Sequence, residues 1–300
     1  MSAPAHRAKR FPYPHPDPVG RRPELPDGAR DAGRPGWRPW SAVLGLVAGF
    51  LGALFGALVL GVIGAATTGS TFEDPPGWVN ISATVVQDVS LIGAALLMAR
   101  IWAAPTPAHF GLRPAPIGRA LGYAVLAWIA FYLFTAVFIA VLGLSPSQED
   151  IAEQLGVAGT SGLVAIAILV TVIAPVAEEF FFRGFFYGAL RNWKGPWPAA
   201  LITGTVFGAI HAGGSQAAYL VPLGVFGVLL CFVYERTGSL WPCIALHCAN
   251  NTLAFGVAED WSWQIPLVFV GALATIALLG RLALRVWGAA NRGGPAPSAV

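Results

Sequence analysis

A series of eight apolar runs restricts the fold of this chain more than any other feature of its sequence. The first run, 41–66, holds about 26 residues and no charged side chain. About 20 apolar residues in a helix are enough to cross the roughly 30 Å hydrocarbon layer of a bilayer. The pattern predicts an all-α fold, a polytopic transmembrane helical bundle of about eight spans. The other runs lie at 79–104, 119–144, 162–189, 199–212, 217–234, 239–257 and 264–288.

The overall composition agrees with a membrane protein. Hydrophobic residues make up 56% of the 300 residues and charged residues only 11%, whereas a soluble domain has about 25% charged residues. The net charge of +3 does not indicate a nucleic-acid partner, because no basic stripe alternates with aromatic residues on a polar face. Three cysteines lack C-x-x-C spacing, so we expect neither disulfides nor a structural zinc site. They are Cys231, Cys243 and Cys248.

Three regions follow from the distribution of proline, glycine and charge. Residues 1–37 are rich in Pro and Arg and contain no apolar run, which predicts a disordered cytoplasmic tail. Residues 38–290 form the predicted multi-pass membrane domain, and 291–300 form a short flexible tail. The first apolar run starts near Trp40, too far from Met1 for a secretory signal, so we interpret it as an uncleaved anchor.

The positions of Lys and Arg predict how the chain crosses the membrane. Eight of the 18 basic residues lie within the first 38 residues, and most of the others flank every second loop. The intervening loops, including those at Glu73, 149–153 and Glu259, contain no Lys or Arg. Because cytoplasmic loops carry the excess of basic residues, we expect an integral cell-membrane protein with both termini in the cytoplasm. The flanking basic residues are Arg100, Arg113, Arg119, Arg191, Lys194, Arg236, Arg281, Arg285 and Arg292.

The fourth apolar run contains three charged residues, Glu178, Glu179 and Arg183. A charged side chain at the centre of a bilayer costs about 2.5–3.5 kcal/mol on insertion scales, so such residues usually serve a function. Glu179 and Arg183 are spaced i,i+4 and can form a structural ion pair on one helical face. Glu178 points about 100° away around the helix and lacks such a partner. We therefore predict a functional role for Glu178.

Two later runs also carry polar residues at i,i+4 spacing. His211 follows Phe207, and Asn251 follows His247, by four residues each. Together with Glu178, these helices would supply a carboxylate, two imidazoles and an amide, which can activate a water molecule and stabilise an oxyanion. A single membrane histidine is about equally often a packing hydrogen bond, but three helices that each bring such a group favour a site.

Two further residues in the apolar runs bear on this hypothesis. Pro175 removes a backbone hydrogen bond three residues before Glu178, which could kink the helix and admit water. Asp88 is a weaker candidate for the site, and we expect it to make a structural hydrogen bond.

The polar residues form three motifs that follow one another on successive predicted helices. The ordered set resembles the three motifs of the CPBP intramembrane proteases, also called the Abi or CAAX-protease family, which includes the Ras-converting type of CAAX prenyl endopeptidase. The resemblance covers about 163–255, a third of the chain. A stretch before the third run, 110–114, also resembles a loop of bacterial members. The three motifs are Glu178-Glu179-x-x-x-Arg183, Phe207-x-x-x-His211 and His247-x-x-x-Asn251.

The resemblance implies an all-helical endopeptidase that cuts a membrane-associated peptide or protein substrate. Glu178 and His211 would activate the attacking water, and His247 and Asn251 would stabilise the oxyanion. Glu179, Arg183 and Phe207 match motif positions with a supporting, structural role. The sequence selects neither a particular substrate, prenylated or not, nor an oligomeric state.

The resemblance also raises the question of a metal, because the family is commonly labelled metalloprotease. The chain lacks H-E-x-x-H, which places two zinc ligands and a base on one helix. Glu178, His211 and His247 could still form a three-ligand site for a divalent metal such as zinc. We favour the metal-free glutamate mechanism, in which a buried glutamate is the base.

Two other functions fit the same buried polar residues. In an ion- or proton-coupled transporter, the carboxylates and imidazoles would hold a cation or relay protons. In an immunity-type scaffold, they would only specify how the helices pack.

Overall fold

The computed structural model describes residues 35–101, 104–144 and 154–292, and this part of the chain consists of helices without strands. Within these described residues, eight helices lie where the eight apolar runs predict them, so the predicted helical bundle is confirmed. Two short 3₁₀ turns, Pro107–Phe110 and Ala217–Tyr219, precede α3 and α6. The helices are α1 (Pro39–Thr68), α2 (Gly77–Arg100), α3 (Ile117–Leu142), α4 (Gly159–Lys194), α5 (Pro196–Ala209), α6 (Leu220–Thr237), α7 (Trp241–Ala258) and α8 (Gln264–Arg292).

Six of these helices are long and apolar enough to cross a membrane, counted over the described residues. The other two are α5, which has only 14 residues, and α7, which contains His247 and two asparagines. Large apolar side chains cover the outer surface, for example Leu54 and Phe55 of α1. A bundle with this apolar exterior belongs in a bilayer, and the protein is an integral membrane protein.

The predicted tails fall largely outside the described residues, since the structure describes neither 1–34 nor 293–300. The predicted loop at 149–153 lies outside them as well. The last residues of the predicted N-terminal tail are, however, attached to the bundle. Trp37 is buried against Phe110 and Phe185, with ring centroids 5.1 and 5.2 Å apart, so the folded part begins before residue 38.

Helix α4 contains two stretches of π-helix on either side of the two glutamates. The first, Leu169–Ile173, ends two residues before Pro175, and the second, Phe180–Phe186, directly follows Glu179. Proline has no backbone N–H and clashes with the carbonyl four residues earlier, and the wider π turn accommodates it. Such turns are often found at functional sites. Helix α4 therefore continues past Pro175 with altered side-chain directions.

The loop before α3 connects the aromatic part of α4 to the turn between α6 and α7. Phe110 stacks on Phe180 with ring centroids 4.4 Å apart. The N–H of Leu240 donates to the carbonyl of Gly111 at 2.8 Å, and Arg113 Nε donates to the carbonyl of Gly238 at 2.6 Å. This gives the loop, which the sequence marked only by resemblance, a physical role: it fixes α4 relative to α6 and α7.

Gly111 provides a test of this role. Its φ of +78° favours glycine, and a Cβ there would lie 2.5 Å from Cε2 of Tyr234. Left-handed backbone costs other residues about 1–2 kcal/mol, and overpacking adds about 1–3 kcal/mol. We expect Gly111→Ala to lower the free energy of unfolding by at least about 2 kcal/mol, measured by thermal unfolding in detergent.

Two matched variants separate the causes. Gly143 has φ of +62° and nothing within 4 Å of its ideal Cβ, so Gly143→Ala should show only the smaller backbone cost. Gly118 lies inside α3 with equally open space, and Gly118→Ala should be neutral or stabilising. Equal stability of the Gly111 and Gly143 variants would contradict a close contact with Tyr234.

Candidate active site

Glu179 is the fully buried carboxylate at the centre of the polar cluster. Its Oε1 accepts a hydrogen bond from Arg183 Nη1 at 2.8 Å, within α4. The same oxygen lies 2.8 Å from Nδ1 of His247 on α7. The structure thus contains the i,i+4 ion pair expected from the sequence, and it adds a contact across 68 residues that the sequence did not reveal.

Arg183 holds three helices together from a fully buried position. Besides Glu179, its Nη2 donates to the carbonyl of Gly227 on α6 at 3.0 Å. Its guanidinium carbon lies 4.5 Å from the ring centroid of Phe207 on α5, a cation–π contact. A planar fork that bonds two acceptors and stacks on a ring is a use of arginine that lysine cannot reproduce.

His247 is oriented by its neighbours on both sides of the ring. The carboxylate of Glu179 accepts a hydrogen bond from Nδ1–H, which leaves Nε2 as the nitrogen that can contact a ligand. Phe207 and Phe226 approach the ring at centroid distances of 5.8 and 5.6 Å. Nε2 lies 3.9 Å from Oε2 of Glu178, which is too far for a direct hydrogen bond.

Glu178 contrasts with its neighbour Glu179. Its Oε2 is buried and has no hydrogen-bond partner among the residues that the structure describes. Adjacent positions on a helix diverge by about 100°, so the carboxylate of Glu179 is used in packing while that of Glu178 remains available for chemistry.

His211 and Asn251 each make one contact to the backbone. His211 lies just after α5, and its Nδ1 is 2.7 Å from the carbonyl of Phe207; Nδ1 therefore carries the proton, and Nε2 is the acceptor. Asn251 Nδ2 donates to the carbonyl of Val170, in the first π stretch, at 2.9 Å. One hydrogen of this amide is thus used, and the second is available.

One cavity of about 650 Å³ connects the four candidate residues. Glu178, His211, His247 and Asn251 all line it, so α4, α5 and α7 bring the predicted site residues to a common space. Most of the remaining wall is apolar, including Phe131, Leu223, Phe226 and Phe255. A ligand held there would meet mostly apolar side chains around the four polar ones.

The side chains do not assemble into a metal-binding group. Among the described residues, no three His, Cys, Asp or Glu side chains are grouped so that they could hold a metal ion. This includes the predicted set of Glu178, His211 and His247. Nδ1 of each imidazole is bound, to Phe207 or to Glu179, and Nε2 is the nitrogen that faces the cavity side of the site. In the described part of the chain, the three side chains therefore do not converge as a three-ligand site.

Asp88 lacks, among the described residues, the hydrogen bond that the sequence led us to expect. It is 1% exposed on α2, and neither carboxyl oxygen has a hydrogen-bond partner within the described part of the chain. The expected structural hydrogen bond is therefore absent there. Helix α2 packs against the segment Ala174–Glu179, and Asp88 is close enough to Glu178 for the two carboxyl groups to interact electrostatically.

Comparison with known proteins agrees with this arrangement. Residues 160–253, which include all three motifs, match the family described as Rce1-like, type II CAAX prenyl endopeptidase Rce1-like. This segment of the chain is similar to the Rce1-like family. The resemblance recognised from the motifs is thereby confirmed. No solved structure matches the chain significantly.

Several curated bacterial proteins resemble the Rce1-like segment and its surroundings. A Bacillus subtilis protein named "Putative membrane peptidase YdiL" is 29% identical over 44% of this chain and 55% of its own length. A second B. subtilis protein, YyaK, is 30% identical over 44% and 46%, respectively. A 24.3 kDa protein from Escherichia coli is 25% identical over 52% and 71%. The chain thus spans about half the length of the B. subtilis relatives.

Removal of Arg183 should destabilise the bundle strongly. We expect Arg183→Leu to lower the free energy of unfolding by about 3–5 kcal/mol, because Glu179 is left as a buried charge with one partner fewer. Thermal unfolding in detergent measures the effect. Arg281→Leu, at an exposed position of α8, should change stability by less than about 0.5 kcal/mol.

A double variant tests the reason for this loss. If the uncompensated charge is the cause, Arg183→Leu combined with Glu179→Gln should recover part of the stability. A double variant less stable than Arg183→Leu alone would show that the arginine acts through packing instead.

Proposed function

We propose that this protein is an intramembrane endopeptidase of the CAAX-protease type that hydrolyses peptide bonds of membrane-associated substrates. The observation that carries the proposal is the arrangement of Glu178, His211, His247 and Asn251 around one cavity. The similarity of residues 160–253 to the Rce1-like family supports a protease in general, and the name of the B. subtilis relative YdiL agrees with it.

In the proposed mechanism, Glu178 acts as the general base. Its unpartnered carboxylate oxygen accepts a proton from a water molecule as the water oxygen attacks the carbonyl carbon of the substrate. His211 orients the water, because its Nδ1 is bound to the Phe207 carbonyl and its Nε2 lone pair can accept the other hydrogen. The C–N bond then breaks as the tetrahedral intermediate collapses to a carboxylic acid, and Glu178 returns its proton to the nitrogen of the leaving amine.

In this mechanism, His247 and Asn251 stabilise the developing oxyanion. Asn251 has a second amide hydrogen besides the one bound to Val170, and this hydrogen can donate to the oxyanion. With Nδ1 of His247 directed to Glu179, Nε2 is the atom that meets the substrate, and it donates when the ring carries a second proton. Glu179 and Arg183 act through His247 and are positioning residues.

We propose the glutamate-dependent form over the metal-dependent one for a geometric reason. Three imidazole or carboxylate ligands must converge within about 2.0–2.2 Å of a zinc ion, and the described side chains form no such group. Glu178, in contrast, needs only a water molecule within hydrogen-bond reach.

Replacement of Glu178 tests the proposal directly. Loss of a general base typically slows a reaction about 10²- to 10⁴-fold, so we expect Glu178→Gln to lower kcat by that factor. The assay uses the full chain in lipid nanodiscs and a library of fluorogenic peptides, both membrane-spanning and lipidated. Addition of a chelator to the wild-type protein should leave kcat unchanged.

Glu73→Gln is a matched control, because Glu73 is exposed in the loop between α1 and α2; it should keep full activity. Glu178→Gln with wild-type kcat would remove the proposed mechanism. Proton or cation flux across vesicles that depends on Glu178, without hydrolysis of any peptide, would support the transporter instead.

We further propose that both termini face the cytoplasm in the cell membrane. The ends of α2, α4 and α6 that carry Arg100, Lys194 and Arg236 would then share the cytoplasmic side. Introduced cysteines test this, since the three native cysteines are buried. A membrane-impermeant maleimide should label Glu73→Cys in intact cells and Lys194→Cys only after permeabilisation. The opposite pattern would invert the proposed topology.

A further inference from the structure

Part of the cavity wall is polar although it carries none of the three motifs. Tyr132 and Thr135 of α3 and Asn250 of α7 all line the cavity together with the four candidate catalytic residues. We call these three residues the α3 wall, after the helix that carries two of them. Helix α3 lies outside the segment 160–253 that the family comparison matched.

Asn250 is held in a defined orientation. The hydroxyl of Tyr132 donates to Oδ1 of Asn250 at 3.1 Å, which uses the acceptor end of the amide. The donor end, Nδ2, then remains for a ligand in the cavity. Tyr132 itself is 38% exposed, so its aromatic ring presents a surface next to this donor.

Thr135 lacks the hydrogen bond that several threonines in these helices make; Thr203 of α5 lacks it too but does not line the cavity. A threonine inside a helix commonly donates to the carbonyl four residues earlier, as Thr171, Thr237 and Thr252 do here at 2.6–2.8 Å. The hydroxyl of Thr135 is buried and has no partner among the residues described. An unpaired buried hydroxyl is unfavourable, and this one lies one turn from Tyr132 on a residue that lines the cavity.

A peptide that enters this cavity needs polar partners beyond the bond that is cut. In an apolar environment, each peptide N–H and C=O without a hydrogen bond costs free energy. In the proposed mechanism the motif residues serve the reacting peptide group alone. The extended segment on either side must find its partners elsewhere on the wall.

We propose that the α3 wall is a subsite for the substrate main chain next to the scissile bond. Nδ2 of Asn250 donates to a peptide carbonyl, and the Thr135 hydroxyl accepts from a peptide N–H. Asn250 and Asn251 are consecutive residues of α7, and both line the cavity. The occupant is an extended segment of a membrane-associated peptide, and the inference rests on the proposed endopeptidase function.

Thr135→Val removes the hydroxyl and keeps the shape of the side chain. We expect KM to rise about 5- to 30-fold, with kcat changed much less, because a contact common to the bound substrate and the transition state is lost. Since the hydroxyl has no described partner in the free protein, the melting temperature in nanodiscs should stay the same or rise. A structural threonine would give the opposite pattern.

Thr237→Val is the matched control. Its hydroxyl donates to the carbonyl of Val233 at 2.8 Å, and the residue does not line the cavity. This variant should lower the melting temperature and leave KM unchanged. Asn250→Asp keeps an acceptor for Tyr132 but replaces the Nδ2 donor with an oxygen, so KM should rise at least as much as in Thr135→Val.

Ester-containing peptides identify the substrate group involved. Replacement of one backbone amide by an ester removes one N–H, and a series places this change at each residue around the cleaved bond. At one position, the ester should raise KM for the wild-type protein and have no further effect on Thr135→Val, which is the non-additivity expected for two groups in contact. Independent, multiplicative effects at every position would overturn the subsite.

The outcomes separate the two proposals. If the wild type cleaves the peptides and both Thr135→Val and Asn250→Asp keep the wild-type KM, the α3 wall is not a subsite. The proposal of an endopeptidase then still stands. Absence of any Glu178-dependent cleavage overturns both.

Discussion

The rest of the structure depends on one carboxylate that is shared by two partners. Oε1 of Glu179 is bound by Arg183 of its own helix and by His247 of α7, all inside an apolar bundle. A buried charge without compensation costs several kcal/mol, so the helices must approach in the one arrangement that pairs it. Arg183 extends the constraint to α6 through Gly227 and to α5 through the ring of Phe207. The charged group therefore specifies how four helices meet, which apolar side chains alone would specify weakly in a lipid environment.

The same interaction divides the work between two adjacent glutamates. Because neighbouring residues diverge by about 100° on a helix, satisfying Glu179 turns Glu178 toward the cavity without a partner of its own. The π stretches on both sides of the pair change the register of α4 at this point and allow the turn before Pro175 to widen. The proposed mechanism requires a carboxylate that is rigidly placed and not consumed by packing, and the guanidinium of Arg183 is already bound to Glu179.

Features that depend on local sequence could be predicted, and those that depend on distant packing could not. Apolar runs gave the eight helices, and i,i+4 spacing gave the Glu179–Arg183 pair, since both follow from helix geometry. The contact between Glu179 and His247 joins residues 68 positions apart, and no local sequence pattern predicts it. The π stretches could not be predicted from the sequence, because they do not interrupt the apolar run that predicts α4. Asp88 was expected to be bonded, yet its carboxyl group faces α4 without a described partner; burial between helices cannot be derived from one helix alone. The loop at Phe110 and Gly111 was visible only as a resemblance, since its role lies in contacts to Phe180 and Leu240.

The cavity joins residues of two different origins in the chain. Glu178, His211, His247 and Asn251 come from the segment matched by the Rce1-like family, whereas Phe131, Tyr132 and Thr135 come from α3, outside it. Hydrolysis of an amide poses the same chemical problem for every substrate: a base, a water molecule and a stabilised oxyanion. Selection among substrates is a different problem, because it depends on the shape and polarity of the cavity wall beyond the reacting bond. A helix that contributes to the wall but not to the charged cluster can change its side chains at little cost to the Glu179 network. Under the proposed function, the separation of α4, α5 and α7 from α3 therefore permits one arrangement of Glu178, His211, His247 and Asn251 to act on different membrane-associated peptides.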